Sequence, residues 1–224
     1  MNLIPQRVKD GFVRAIEPMA RALIRAGISP NVITTAGAFV ILGSAAAFAR
    51  GEIQLGGFLL LFSGVFDLLD GQVARQGRRA TDFGAFYDST LDRVGESALF
   101  GGIALYFLRG GVPPARVTLA VGLAIAALAA SLLVSYTRAR AEGLGYPCKV
   151  GIAARAERLL LLGLPTLLFG PGRDGWLLFA IIALLALATT VTVVQRVVHV
   201  ARIAGAAAQR ETLPGRPTAV RKGT

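Results

Sequence analysis

Four aspartates between positions 67 and 92 are the residues of this chain best suited to chemistry. Asp67 and Asp70 are three apart, and Asp88 and Asp92 are four apart. Both spacings set two side chains on one helical face, a turn from each other. The flanking text is apolar, GGFLLLFSGVF before Asp67 and SALFGGIALYFL shortly after Asp92. A carboxylate at the end of such a helix is costly to desolvate and needs a cation, a partner or water. Between the pairs lies a polar turn, Arg75-Gln76-Gly77-Arg78-Arg79-Ala80-Thr81. If the chain reverses there, the pairs face each other across two antiparallel helices. Four facing acids repel unless metal ions sit between them, and hard divalent cations take oxygen ligands of this kind. Pairing with Arg93, Arg78 or Arg79 explains one or two of the acids, not four at helical spacing. Gly71 and Ala74 share the side of the first pair, and small residues there let a ligand or another helix approach the backbone.

A second constellation is basic. Arg138, Arg140, Arg155, Arg158 and Arg196 mark the ends of the last three apolar stretches. About half of them serve only topology; Arg138, Arg155 and Arg196 are the candidates to point inward. Guanidinium forks suit phosphate oxygens, so a basic pocket near the acids suggests a phosphorylated substrate delivered beside a metal-bound phosphate ester. His199, the only histidine, reads as an interfacial side chain. Cys148, the only cysteine, excludes an internal disulfide and a cysteine metal cluster.

The elements that must position these residues read as membrane helices. The 224 residues are 54% hydrophobic with a mean hydropathy of +0.61, too apolar for a soluble domain. Val32–Ala49, Val117–Thr137 and Gly175–Gln195 each come close to the roughly 20 residues that cross a bilayer. Ile53–Phe66 and Leu159–Gly172 become spans when extended through the polar motifs beside them, and a sixth covers about Phe83–Leu108. The expected fold is an all-α integral membrane protein of six transmembrane helices. An amphipathic juxtamembrane helix over Leu3–Ala26 precedes them, broken near Pro18. With the N-terminus cytoplasmic, outside loops hold only Arg50, Arg109, Arg116 and Arg173. The net charge of +11 then reports the positive-inside rule rather than nucleic-acid binding. Both termini and the 67–92 turn come out cytoplasmic. No removable signal peptide is expected, and the chain divides into a membrane domain, 1–208, and a disordered tail, 209–224.

The full spacing, Asp67-x2-Asp70-Gly71-x2-Ala74-Arg75-x8-Gly84-x3-Asp88-x3-Asp92, resembles the signature of the CDP-alcohol phosphatidyltransferases at every one of its eight fixed residues. The likeness extends to the six-span layout and the amphipathic N-terminal helix. It implies transfer of a phosphatidyl group from CDP-diacylglycerol to an alcohol, with release of CMP. It implies two divalent ions, Mg²⁺ or Mn²⁺, on Asp67, Asp70, Asp88 and Asp92, with Asp92 as the base that takes the acceptor proton. The nucleotide would be contacted by Gly71, Ala74, Arg75 and Thr81 and by the turn Pro30, Asn31, Val32 and Ile33. A homodimer in the plasma membrane is the expected assembly.

SYTRARAE, the downstream RAER, the late Arg196 and DSTLDR resemble the phosphatidylinositol phosphate synthases of actinobacteria and their archaeal relatives. That branch implies inositol 1-phosphate as acceptor, its phosphate on Arg138, Arg155 and Arg196. Arg138 stands where a lysine is common and Ala154 where a proline is usual, and neither change removes a charge. Alternatives are a glycerol 3-phosphate enzyme, which tends to carry a proline where Ser89 stands, and an archaetidylinositol phosphate synthase. A divalent-cation transporter would want acids near mid-span on several helices, and a simple basic membrane anchor would not need the four aspartates at all.

Overall fold

The structure, a computed structural model, describes residues 6–152 and 155–211. These residues form helices and no strand: α1 (Gln6–Arg25), α2 (Pro30–Arg50), α3 (Ile53–Gln76), α4 (Asp82–Tyr106), α5 (Val117–Gly143), α6 (Arg155–Phe169) and α7 (Trp176–Glu211). Local signals explain the boundaries. Pro30 begins α2, where its missing N–H costs nothing, and Gly51 ends it in the left-handed region at φ 85°. Thr81 caps α4, accepting from the Gly84 N–H at 3.0 Å.

Six of the helices close into a ring, with neighbours in the order α2, α4, α5, α7, α6, α3 and back to α2. Consecutive helices α3 and α4 pack little against each other, yet Asp67 and Asp70 of one face Asp88 of the other, as the reversal at 75–81 suggested. Between them, α2 packs along both. Small residues allow it: Gly37 faces Phe66 of α3, and a Cβ built on Gly102 of α4 would run into the backbone of Ala45. The core beneath is built from Phe48, Leu60, Ile103, Phe107, Leu162, Leu178, Ile182 and Leu185, all fully buried. Large apolar side chains also cover the outside, among them Phe39, Leu119, Ile125 and Leu187.

Four segments are long and apolar enough to cross a membrane: Pro30–Arg50, Ile53–Gln76, Pro114–Gly143 and Arg173–Ala206. The expectation of six is met only to that extent. Of the other two helices, α4 carries Asp82, Asp88, Asp92, Arg93 and Glu96, and α6 is 15 residues long and begins with Arg155, Glu157 and Arg158. Their polarity belongs to the site described below.

α1 runs unbroken through Pro18, contrary to the expected break. Ile16 and Ala20 are buried with Ile33, Leu69 and Val73, and Gln72 Nε2 donates to the Val13 carbonyl at 3.1 Å. Packing and this hydrogen bond hold the helix where the proline removes one of its own. At the other end α7 continues to Glu211, past the point where the tail was expected to begin. Residues 212–224, which make up most of that tail, lie outside the described residues, as do Leu3 and Ala154.

Candidate active site

The acids sit where α3 ends and α4 begins. Asp67, Asp70 and Asp88 each offer an oxygen within 4.8 Å of the other two. A divalent cation with ligands at about 2.0–2.6 Å spans such separations, so the donor set fits a hard metal ion. Asp70 is buried and accepts a hydrogen bond from Thr34 Oγ1 of α2 at 2.8 Å. That bond fixes one carboxylate oxygen. Thr34 Oγ1 also lies 3.1 Å from the Pro30 carbonyl oxygen, which sets the acid beside the first turn of α2.

Asp92 is engaged differently. Its Oδ1 pairs with Arg155 Nη1, while Arg155 Nη2 reaches Asp67 Oδ2 at 3.0 Å. Arg155 opens α6, and a cation is unfavourable at a helix N-terminus; its two carboxylate partners hold it there. A small cavity lined by Thr34, Gly37, Ser63, Asp67, Asp92 and Arg155 lies between these groups.

Of the residues expected to touch a nucleotide, Asn31 and Thr81 meet beside Gly84 at the facing starts of α2 and α4, while Gly71, Ala74 and Arg75 lie at the end of α3. A Cβ on Gly84 would lie 3.1 Å from Thr81 Oγ1 and 3.3 Å from Asn31 Oδ1, so these three residues meet with room for backbone alone. Arg75 folds back over Gly71, whose built Cβ lies 3.2 Å from Arg75 Nη1. Val32 is exposed, and Ile33 is buried in the α1–α3 cluster, away from that surface. Ala74 is partly exposed on α3. The turn is pinned by Arg79, which donates to the Gly27 and Ile28 carbonyls at 3.0 and 3.3 Å. Arg78 in the same turn takes a φ of 52°.

The three arginines expected to share a phosphate are not brought together by direct contact. Arg155 is held by Asp67 and Asp92. Arg138 pairs with Glu142 on its own helix at 2.9 Å. Arg196 is buried and donates to the carbonyls of Val150, at 3.0 Å, and Val134. Arg138 and Arg196 do lie within electrostatic reach of each other. His199 approaches the Pro147 carbonyl at 3.1 Å, in keeping with an interfacial role.

Two groups here escaped the sequence reading. Thr34 directly follows the Pro30–Ile33 turn but is not among the residues that the spacing singles out. Glu96, with Arg158 at 2.6 Å and Arg93 at 3.1 Å, forms a buried charge cluster under Asp92. Its signal was present: 84, 88, 92 and 96 step by four along one helical stripe, one turn beyond the last signature position.

The model of the family described as CDP-alcohol phosphatidyltransferase matches residues 27–204. The chain belongs to that family. A CDP-alcohol phosphatidyltransferase is a membrane enzyme of phospholipid synthesis with a divalent cofactor, Mg²⁺ or Mn²⁺, and the donor set of the carboxylate cluster fits such an ion. Among curated relatives, a phosphatidylinositol phosphate synthase of Streptomyces avermitilis is 45% identical over 152 residues, 67% of this chain and 61% of that protein. An archaetidylinositol phosphate synthase of Methanothermobacter thermautotrophicus is 40% identical over 160 residues, 69% of this chain and 77% of its own length. The crystal structure of Mycobacterium tuberculosis phosphatidylinositol phosphate synthase with CDP-DAG bound matches with a TM-score of 0.73 at 31% identity, covering 92% of this chain and all of that one. The same enzyme in complex with manganese and citrate matches with a TM-score of 0.72.

Proposed function

We propose that this CDP-alcohol phosphatidyltransferase moves the phosphatidyl group of CDP-diacylglycerol to inositol 1-phosphate, giving phosphatidylinositol phosphate and CMP. The observation that carries the reading is the convergence of Asp67, Asp70 and Asp88, from two helices separated by α2, onto one point at the family's signature positions. The relatives that are phosphatidylinositol phosphate synthases favour the inositol phosphate branch. Divalent ions bound by the carboxylates would neutralise the pyrophosphate and stabilise the leaving CMP. The acceptor hydroxyl attacks the phosphatidyl phosphorus, the bond from that phosphorus to CMP breaks, and Asp92 takes the hydroxyl proton. Gly71, Ala74, Arg75 and Thr81, with Pro30, Asn31, Val32 and Ile33, form the nucleotide side. For Ile33 the contribution is through packing of the α2 start rather than direct contact. Arg155, between Asp67 and Asp92, is the guanidinium that meets an incoming acceptor phosphate first, with Arg138 and Arg196 behind it.

In the same reading α4 and α6 complete six spans, α1 lies at the membrane surface, and the site and both termini face the cytoplasm. The protein works as a homodimer in the plasma membrane, with the membrane domain ending near 208 and a tail beyond. The test is CMP release by the purified protein from CDP-diacylglycerol with inositol 1-phosphate, glycerol 3-phosphate, free inositol and serine as acceptors. Inositol 1-phosphate should be the best. Preference for an unphosphorylated acceptor would overturn the acceptor assignment.

A further inference from the structure

Six charges alternate in sign along one line through three helices: Asp67, Arg155, Asp92, Arg93, Glu96 and Arg158. Asp67 meets Arg155 at 3.0 Å, and Arg155 also meets Asp92. Asp92 Oδ2 lies 3.4 Å from Arg93 Nη2, Arg93 Nη1 lies 3.1 Å from Glu96 Oε2, and Glu96 Oε1 lies 2.6 Å from Arg158 Nη2. The line crosses from α4 to α6 twice, through Asp92–Arg155 and, one turn deeper on each helix, through Glu96–Arg158. These crossings matter because the two helices pack chiefly elsewhere, α6 on α3 and α7, and α4 on α2 and α5.

We propose that Glu96 is a positioning residue for the transfer, pinning α6 to α4 through Arg158 so that Arg155 stays within reach of Asp67 and Asp92. This rests on the functional reading above. The upper crossing uses groups that the reaction itself needs. A phosphate that draws on Arg155, or a cation that takes Asp92, weakens it, and the lower crossing then ties the helices.

The lower crossing is built to persist. The Glu96 and Arg158 side chains are each 8% exposed. They border a small cavity lined also by Arg155 and by apolar side chains, among them Leu60, Leu99, Phe100 and Leu162, and a low local dielectric strengthens the pair. Glu96 also holds Arg93, which Ser135 of α5 engages on the same nitrogen. Without Glu96, Asp92 is the one carboxylate among the described residues left in contact with Arg93, and it would be drawn from the cleft toward that guanidinium.

The test uses the full chain in lipid nanodiscs, with Glu96→Gln, Arg158→Met and the double variant. Each single variant should lower kcat per folded protein by about tenfold or more while the KM for CDP-diacylglycerol stays within about twofold. The double variant should lose no more than the worse single one, because all three break the same link. It also keeps the test open if a lone buried charge prevents a single variant from folding. Folded variants with kcat within about twofold of wild type, or losses that multiply in the double variant, would overturn the proposal.

A second measurement does not depend on turnover. Leu99→Cys and Leu159→Cys in a Cys148→Ser background report the approach of α4 to α6 by crosslinking with a bifunctional maleimide. With Mn²⁺ present the yield should fall about threefold or more when Glu96→Gln and Arg158→Met are added, and an unchanged yield overturns the pin. A wild type that releases no CMP with any phosphorylated acceptor counts against the functional reading instead, and the crosslinking result still decides the role of Glu96.

Discussion

At the scale of single residues, the carboxylates divide by their partners. Asp70 is fixed by Thr34 and clusters with Asp67 and Asp88, whereas Asp92 is held in an arginine pair. Asp92 is thus the acid oriented by cations on two sides, Arg155 and Arg93. Asp92→Asn should lower kcat by roughly 10²–10⁴-fold while CDP-diacylglycerol binding remains measurable by equilibrium titration; unchanged turnover would give the proton to another group. The arginines separate in the same way. Charged hydrogen bonds contribute on the order of 1.5–3 kcal/mol each, or roughly 10- to 150-fold in efficiency. Arg138→Gln should place its loss in the acceptor KM, because Arg138 has only Glu142 as its partner in the ion pairs and touches no aspartate of the cluster. Arg155→Gln should reduce kcat as well, because Arg155 bridges two of the acids. Separate KM values for both substrates distinguish the outcomes, and a rise confined to the donor KM would remove both residues from the acceptor pocket.

At the scale of elements, the site depends on how closely α2 approaches its neighbours. α2 sits between the two helices that carry the acids and supplies Thr34 to one of them. The approach to α4 is permitted by glycine: Gly102 lies against the Ala45 backbone, and Gly95 lies against Ile41. Gly102→Leu should therefore destabilise the folded protein by about 1–3 kcal/mol or more, since a rigid backbone stands where the side chain must go. A lower midpoint in a detergent thermal-unfolding assay, with activity lost in parallel, is the expected result. Gly122→Leu is the control, because nothing lies within 4 Å of a Cβ built there. Equal midpoints for the two variants would show that α2–α4 contact does not limit stability.

At the scale of the molecule, the ring of six helices has large apolar side chains on its exterior, and its carboxylate cluster lies with Arg155 where α3 ends, α4 begins and α6 starts. Three clustered carboxylates cannot accept a further anion without a cation among them. Excess chelator should therefore abolish CMP release and added Mg²⁺ or Mn²⁺ should restore it; full activity in chelator would exclude the metal reading. The proposed orientation places both termini on the side of this region. Epitope tags at the two ends should be cleaved by protease in inside-out membrane vesicles and protected in right-side-out ones. Opposite protection of the two tags would require an odd number of spans.

Much of this was legible in the amino-acid sequence alone. Four aspartates at intervals of three and four, glycine and alanine beside them, and apolar runs near span length suffice for helices and a metal-ready face, because helical periodicity and hydropathy are local properties; the family came from the resemblance of the whole spacing to its signature. Local spacing cannot report which helix lies beside which. The sequence suggested acids facing across α3 and α4, and Asp67, Asp70 and Asp88 do converge; that α2 packs along both helices through its small residues depends on volumes meeting across the fold. It grouped Arg155 with Arg138 and Arg196; that Arg155 also bridges Asp67 and Asp92 depends on where the α6 start sits against the acids, which local spacing does not carry. The expected break at Pro18 did not form, since burial of Ile16 and Ala20 against α2 and α3 outweighs one missing hydrogen bond. Glu96 showed its periodicity in the sequence, but its partner Arg158 lies 62 residues away, and only the tertiary structure sets two charges that distant in sequence against each other.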